Sequence, residues 1–388
     1  MSFCFKPLGR PKSIDKTDWK NWKWQLKQLK NSFQEEKKTL FLAGTTPYYL
    51  RLIHRFKESN LHQIVKPTKY ENLPGLQSFK DPLGEEKYSS TPNLIHRYPD
   101  RVLFLITDTC GVYCRFCTRK RYTGKQKAFV SKINYKMSLD YIKKNEGIRE
   151  VILSGGDPLT LSNSLLEKIL KDLRVIRHVE IIRIASRMPV VCPMRFTPQL
   201  IKILQKYNPV FLMLHFNHPD EITKEVADTL KFIADSGILM FNQTVILNGI
   251  NNHPAILQAL LRRLLYLRVK PYYLFQCDPS EGSDHFRTSI KDSIEIQKEL
   301  WGRLSGLSLP NLSLDIPEGG GKAVVVPNYL EKIEGNNWTY KGWDGVVNTY
   351  KNPRNQSIKK PKNKSFYKKE WFKIKKQKYG RSRNLDSI

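Results

Sequence analysis

The chain has 388 residues, 40% hydrophobic and 11% aromatic, so it can bury a large core and is not globally disordered. Its formal charge is +30, and residues 351–388 hold 14 basic residues against only Glu370 and Asp386. That balance raises the chance of nucleic-acid contact without establishing it, and nucleic acid is not the expected partner, while the longest apolar runs are too short to span a membrane and residues 1–15 lack the apolar core of a secretory signal, which predicts a cytoplasmic protein with no membrane partner.

Residues 1–95 read as a helical N-terminal extension. Trp19, Trp22, Trp24, Leu26 and Leu29 recur at helical spacing and predict one amphipathic helix over 18–33, packed on the core through its aromatic face. The polar stretch 81–93, with two prolines and a Ser-Ser-Thr-Pro run, predicts a linker. From there the pattern changes. Apolar runs at 102–107, 149–153, 179–185, 210–216, 239–246 and 272–275 predict strands. Helical stretches at 163–173, 198–207, 221–236 and 253–267 lie between them. Near-continuous apolar strands separated by helices are what a parallel sheet requires, because each crossover passes over a face. The fold class is therefore α/β, a partial (β/α)6 barrel over 96–315, with a flat doubly wound sheet as the alternative. In such barrels the chemistry sits at the C-terminal ends of the strands. A Gly-rich loop and a Trp/Tyr-containing segment occupy 316–350. The basic tail, 351–388, has few aliphatics and no periodicity and predicts a disordered segment.

Of six cysteines, Cys110, Cys114 and Cys117 fall within eight residues just after the first parallel strand, a CxxxCxxC spacing. Three thiolates on one tight loop can hold three irons of a [4Fe–4S] cluster and leave the fourth open. A zinc site would want a fourth Cys or His at matched spacing, and none is present. Ser154-Gly155-Gly156-Asp157 follows the second strand; its glycines permit close backbone approach and its carboxylate can accept from an ammonium. Gly319-Gly320-Gly321-Lys322 can present N–H groups to an anion beside a lysine able to form a Schiff base. It is not a Walker A loop, and alone it reads as a flexible surface loop. Arg97 and Arg101, flanking Tyr98-Pro99-Asp100, could clamp a phosphate.

These motifs, with Thr118-Arg119-Lys120-Arg121, His215-Phe216-Asn217-His218, Asn242-Gln243 and the run from Pro271 to Asp278, resemble the lysine 2,3-aminomutase family, within the radical S-adenosylmethionine superfamily, from about residue 15 to 350. The resemblance implies an isomerase that converts L-lysine to β-lysine with a [4Fe–4S] cluster, S-adenosylmethionine (SAM) and pyridoxal 5′-phosphate (PLP), by way of a 5′-deoxyadenosyl radical. It assigns Cys110, Cys114 and Cys117 to iron, and Ser154, Gly155, Gly156 and Asp157 to the methionyl group. His215 and Gln243 match further SAM contacts. Lys322 matches the PLP lysine, with Arg97 and Arg101 on its phosphate. Arg119 matches the residue for the substrate carboxylate, and Asp278 and Asp315 those for the ε-ammonium. Arginine would also suit two carboxylates. An electron donor such as flavodoxin or ferredoxin and a homo-oligomer are implied as partners. No cysteine follows Cys277, so the family's C-terminal zinc site has no counterpart here, and Glu318 stands where another glycine is common. The product could equally serve β-lysylation of elongation factor P. A radical enzyme acting on RNA would leave Lys322 and both ion-binding pairs unexplained, and a decayed site would not keep every ligand.

Overall fold

The computed structural model describes residues 3–29, 41–125 and 128–353. The basic tail from 354 onward and the end of the predicted 18–33 helix lie outside them. The aromatic helix is in fact two, α1 (Lys16–Lys20) and α2 (Trp22–Lys27). Asn21 sits between them in extended backbone, and its side chain caps the N–H groups of Lys23 and Trp24. Trp19 is buried as expected, but the second anchor is polar. Buried Gln25 donates to the Trp19 carbonyl at 2.9 Å and accepts from the Tyr48 N–H at 3.0 Å. Helix α3 (Pro47–Arg55) follows, capped by Thr46. The stretch predicted as a linker is instead packed. It holds a 3-10 turn (Glu85–Tyr88) and strand β1 (Ser89–Thr91), and Glu85 is buried against Arg119.

Strands β2 (Leu94–Tyr98), β3 (Arg101–Thr107), β4 (Glu150–Gly155), β5 (Ile181–Ser186), β6 (Val210–Leu214), β7 (Leu239–Val245), β8 (Val269–Phe275), β9 (Asn311–Ile316) and β10 (Gly321–Val324) join β1 in one sheet, in chain order. Strands β3 to β9 run parallel, while β1, β2 and β10 are antiparallel edges. All six predicted strands are present, and β9 adds a seventh to the parallel set. The crossovers are α4 (Lys132–Lys144), α5 (Asn163–Arg174), α6 (Met188–Val191) with α7 (Pro198–Lys206), α8 (Lys224–Asp235), α9 (Pro254–Tyr266) and α10 (Ile290–Leu300).

Helices α4, α5, α7, α8 and α10 form where a Ser or Thr cap stands ahead of apolar residues at three- and four-residue spacing, and His253 caps α9. Ser162 caps α5, which buries Leu166, Ile169, Leu170 and Leu173; Thr223 caps α8, which buries Val226, Ala227, Leu230 and Ile233. Burial of each such leucine contributes about 1.5–3 kcal/mol. Along the strands the faces alternate. Val151, Leu153, Ile182, Ile184, Leu212 and Leu214 belong to the buried apolar core. Glu150, Ile152, Ser154, Arg183, Ala185, Met213 and Gln243, one residue out of phase, line a cavity of about 540 Å³.

Lining residues come from every strand between β2 and β10, so the sheet curls round that cavity although its edges do not pair. The gap is bridged by residues 82–98 against 318–322. The Glu318 N–H donates to the Pro82 carbonyl at 3.0 Å, Tyr88 Oη to the Gly319 carbonyl at 3.0 Å, and the Lys322 N–H to Tyr98 Oη at 3.3 Å. Strands β11 (Leu330–Glu334), β12 (Asn337–Lys341) and β13 (Val347–Lys351) form a separate antiparallel sheet. No helix among the described residues is long and apolar enough to cross a membrane.

Candidate active site

Most of the chemistry-bearing residues gather at the C-terminal ends of the parallel strands, while Arg97 and Arg101 lie at the other end, beside the start of β3. The cysteine loop leaves β3, and three layers hold it. Gly156 N–H and Asp157 N–H donate to the Thr107 and Thr109 carbonyls at 2.6 and 2.8 Å, tying it to the turn after β4. The Arg115 N–H donates to the Ile64 carbonyl at 2.7 Å, and its side chain forms a two-pronged ion pair with buried Glu71. Cys114 Sγ accepts from Arg187 Nη1 at 2.8 Å, and Cys117 Sγ from the Arg119 N–H at 3.3 Å. Burial, and then the neighbouring thiols, pushes the Cys110 and Cys117 thiols up, so they are protonated until a metal displaces the proton. Among the described residues no three His, Cys, Asp or Glu side chains converge on a single metal ion. Three thiolates around a four-iron cube stand farther apart than ligands of one ion, and a loop with N–H donors and a guanidinium at its sulfurs suits an anionic cluster.

The Ser154–Asp157 turn packs closely against the cysteine loop. A Cβ at Gly155 or Gly156 would stand 2.3 Å from the Thr107 or Thr109 carbonyl, so both glycines are needed for approach to the cysteine loop. Asp157, expected to accept from the methionyl ammonium, has its carboxylate engaged by its own chain. Its oxygens accept from the Leu159 N–H at 3.0 Å, Ser186 Oγ at 3.0 Å and the Arg187 N–H at 2.7 Å, and burial raises its carboxyl to about 6. Ser154 does line the cavity and lies 3.4 Å from Arg119 Nη1. His215 and Gln243 line it as well. His215 Nε2 is buried with no hydrogen-bond partner among the described residues, and burial, then Arg187, lowers its imidazole to about 3. A neutral ring with an open nitrogen fits an adenosine-bearing ligand.

Arg97, Arg101, Asp278, Asp315 and Lys322 complete the cavity. Lys322 pairs across β9 and β10 with Asp315, Nζ to Oδ2 2.6 Å, and its ammonium lies 4.6 Å from the Phe275 ring centre. Arg97 stacks near Tyr88 and Tyr98, donates Nη1 to the Leu83 carbonyl at 3.2 Å, and keeps Nη2 buried without a partner among the described residues. A Cβ at Gly321 would come 3.5 Å from that nitrogen. An unpaired buried guanidinium N–H beside a glycine loop and a lysine fits a phosphorylated aldehyde cofactor. Arg101 lies over Tyr98, 4.0 Å from the ring centre, and pairs with Asp100 at 2.8 Å. Burial, then Asp315, raises the Asp278 carboxyl to about 7, against the opposing effect of Lys322.

Sequence reasoning missed the residues that hold these groups. Arg119 Nε and Nη2 donate to Glu85 at 2.9 and 2.6 Å, and Arg121 reaches the same carboxylate at 3.4 Å. Glu85 is buried, which opposes ionisation, yet Arg119 and Arg121 outweigh that and hold its carboxyl below the usual range. Arg183 and Glu150 form an ion pair in the cavity wall. Arg187, Glu221 and Tyr49 form a buried cluster behind Cys114. None of these has a local motif that would have found it.

Glu318 has φ +58°, a left-handed backbone favouring glycine. Its side chain is 63% exposed and only 3.9 Å from Lys87 Nζ, a contact of little energetic weight. Relief of roughly 1–2 kcal/mol of strain exceeds the roughly 0.5–1 kcal/mol of extra unfolded-state entropy. Glu318→Gly is therefore expected to stabilise by about 0.5–1 kcal/mol in urea unfolding; a destabilised variant would show that the backbone is held there without strain.

Comparison with known proteins follows the same lines as the geometry. The radical SAM superfamily profile matches residues 104–258, and the lysine-2,3-aminomutase profile matches residues 297–384. The L-lysine 2,3-aminomutase of Clostridium subterminale is 40% identical over 361 residues, 89% of this chain and 87% of that protein. That of Methanococcus maripaludis is 41% identical over 369 residues, 90% and 84% of the two chains. A glutamate 2,3-aminomutase of Clostridioides difficile is 38% identical over 346 residues, 85% and 82%.

Proposed function

The chain belongs to the lysine 2,3-aminomutase family of radical SAM enzymes, and from that premise we propose that it moves the α-amino group of L-lysine from C2 to C3, with PLP as its third cofactor. As a family member it is an isomerase that works with SAM and a [4Fe–4S] cluster. The observation that carries the substrate reading is the charge pattern of one cavity, which holds Arg119 together with Asp278 and Asp315. A guanidinium fork suits an α-carboxylate, and two acids favour a cationic side chain and disfavour an acidic one. That argues against glutamate, the substrate in the name of one relative.

When bound, the cluster with SAM supplies one-electron hydrogen abstraction, and PLP supplies a ring over which an unpaired electron spreads. The protein's own residues do the rest. Cys110, Cys114 and Cys117 would hold the cluster, with His215, Gln243 and Ser154 facing SAM. Arg97 and Arg101 would hold the phosphate. Lys322 would hold PLP covalently until the substrate amine replaces it. To bond carbon its Nζ must first shed a proton, and Asp315 Oδ2 at 2.6 Å is placed to take it. Glu85 fixes the Arg119 fork so that its remaining N–H groups meet the substrate carboxylate in one orientation. Phe116, Met213, Val245 and Phe275 in the lining exclude water. A flavodoxin- or ferredoxin-type donor, a cytoplasmic setting and a homo-oligomer belong to the same proposal.

A pH dependence follows from Asp278. Below about 7 its carboxyl carries a proton in the free protein, and a bound ammonium favours the carboxylate. Binding a cation therefore releases that proton, so lysine affinity should rise as pH increases towards about 7 and level off above it. Asp278→Asn should bind more weakly and lose the slope; a slope that survives in the variant assigns it to another group. The decisive experiment is anaerobic turnover of iron-reconstituted protein with PLP, SAM, reductant and lysine, arginine or glutamate in turn. β-Lysine from lysine supports the reading. 5′-Deoxyadenosine without β-lysine, or turnover of another amino acid, overturns the substrate.

A further inference from the structure

Arg187 follows β5, is buried, and has no part in the reading above. Its Nη1 donates to Cys114 Sγ at 2.8 Å. Its Nη2 donates to Glu221 Oε1 at 2.5 Å and to Tyr49 Oη at 3.3 Å. Glu221 is fully buried and completely engaged. It also accepts from the Tyr49 hydroxyl at 2.7 Å and from the Asn217 and His218 N–H groups at 2.6 and 3.1 Å. The Arg187 backbone N–H is held by Asp157 at 2.7 Å, so the Ser154–Asp157 turn, the cysteine loop and the segment after β6 all meet at this one residue, the last two through its guanidinium.

A desolvated guanidinium is costly, and here a carboxylate with every lone pair engaged offsets that cost. The pair is neutral as a whole but oriented, with the cation against the sulfur and the anion behind it. Sequence spacing gives no hint of the arrangement, because Tyr49, Cys114, Arg187 and Glu221 come from four separate segments. Burial keeps water from screening the contact.

We propose that Arg187, fixed by Glu221 and Tyr49, tunes the cluster, raising its reduction potential through a charge-assisted N–H···S bond to Cys114. The proposal rests on the assignment of Cys110, Cys114 and Cys117 to the cluster. Reduction adds one electron from the donor and increases the cluster's negative charge, and a fixed cation hydrogen-bonded to a ligand sulfur stabilises that state more than the oxidised one. Arg187 is thus a tuning residue that acts through a ligand.

The test is a potentiometric titration of the cluster in full-length, anaerobically reconstituted protein, followed by electron paramagnetic resonance. Removing Arg187 alone would leave Glu221 unpaired and could prevent folding, so the neutral double variant Arg187→Gln/Glu221→Gln is compared with Arg187→Lys. The double variant should titrate at a more negative potential than the unmodified protein, and Arg187→Lys should lie nearer to it. Equal potentials overturn the proposal, as does an unchanged potential with weakened SAM binding, which would make the arginine a ligand contact. If the double variant does not load iron, the unmodified protein decides. Labelling its arginine with nitrogen-15 should reveal a coupling to the reduced cluster in pulsed resonance, and absence of that coupling overturns the bond. A Cys114→Ala protein that keeps a full cluster would instead sink the ligand assignment, a separate result.

Discussion

Lys322→Ala is expected to abolish β-lysine formation, by roughly 10³-fold or more, while iron content and the resonance signal of the reduced cluster stay as they were. The backbone of β10 is held by its ladder with β9, Gly321 to Ile316 through Val324 to Ser313, which does not need the lysine side chain. That side chain is 31% exposed, so its truncation opens no core cavity. What disappears is the only lysine or arginine hydrogen-bonded to Asp315 among the described residues. Asp278 then loses the opposing effect of that cation, which favours its protonated form further. Lys322→Arg separates charge from nucleophilicity. It restores a cation to Asp315, but a guanidinium is not deprotonated in a protein and cannot form the covalent link. Both variants should therefore be inactive, with Arg closer to the unmodified protein in thermal stability. Arginine that restored even a tenth of the turnover would mean that position 322 supplies charge alone, and the covalent role would fall.

How far the sequence could be read depends on where each signal lies. The parallel strands were legible because each is covered by helices and reads as an apolar run, and five of the six expected segments differ from the observed strands by only one or two residues at either end. Strand β8 begins three residues early, because Val269-Lys270-Pro271 breaks the apolar pattern. Strand β9 was hidden by its alternation. Asn311-Leu312-Ser313-Leu314-Asp315-Ile316 reads as polar and apolar in turn, since one face lines the cavity near Asp315. Helix α4 escaped for a similar reason: it buries Tyr135, Ser138, Leu139 and Ile142, and one of those four is polar. In the aromatic N-terminal run, spacing suggested one helix, but the local capping chemistry of Asn21 divides it.

The site divides along the same line. Three cysteines in one loop, or three glycines and a lysine, carry their chemistry in adjacent residues. The supporting charges do not. Glu85 meets Arg119 across 34 positions, and Glu221 meets Tyr49 across 172, and in each case only the fold brings them together. The motif marks Asp157 as a contact for an ammonium and does not reveal the donors of its own chain that engage it. A carboxylate beside two glycines suits an ammonium, and equally suits three donors of its own chain.

Arg115 is the clearest case of a residue concealed by its motif, and it bears the second large prediction. It stands between Cys114 and Cys117, where a lone arginine reads as surface charge, yet its side chain is 1% exposed and that of its partner Glu71 is 2% exposed. Arg115 Nε donates to Glu71 Oε1 at 2.8 Å, Nη2 donates to the other oxygen, and Nη1 donates to the Leu42 carbonyl at 2.9 Å. Removing one member leaves a buried charge uncompensated, which costs about 3–5 kcal/mol, against a total stability of about 5–15 kcal/mol for a typical domain. Arg115→Met and Glu71→Gln should each lower the urea midpoint strongly and weaken iron loading, because the strained loop presents Cys114 and Cys117. The double variant Arg115→Met/Glu71→Leu removes both charges and fills similar volume, so it should recover most of the lost stability. The same variant separates two roles for the pair. If iron loading returns with stability, the ion pair serves to hold the loop in place. If stability returns and loading does not, the guanidinium orients the sulfurs directly, and hydrophobic packing cannot replace it.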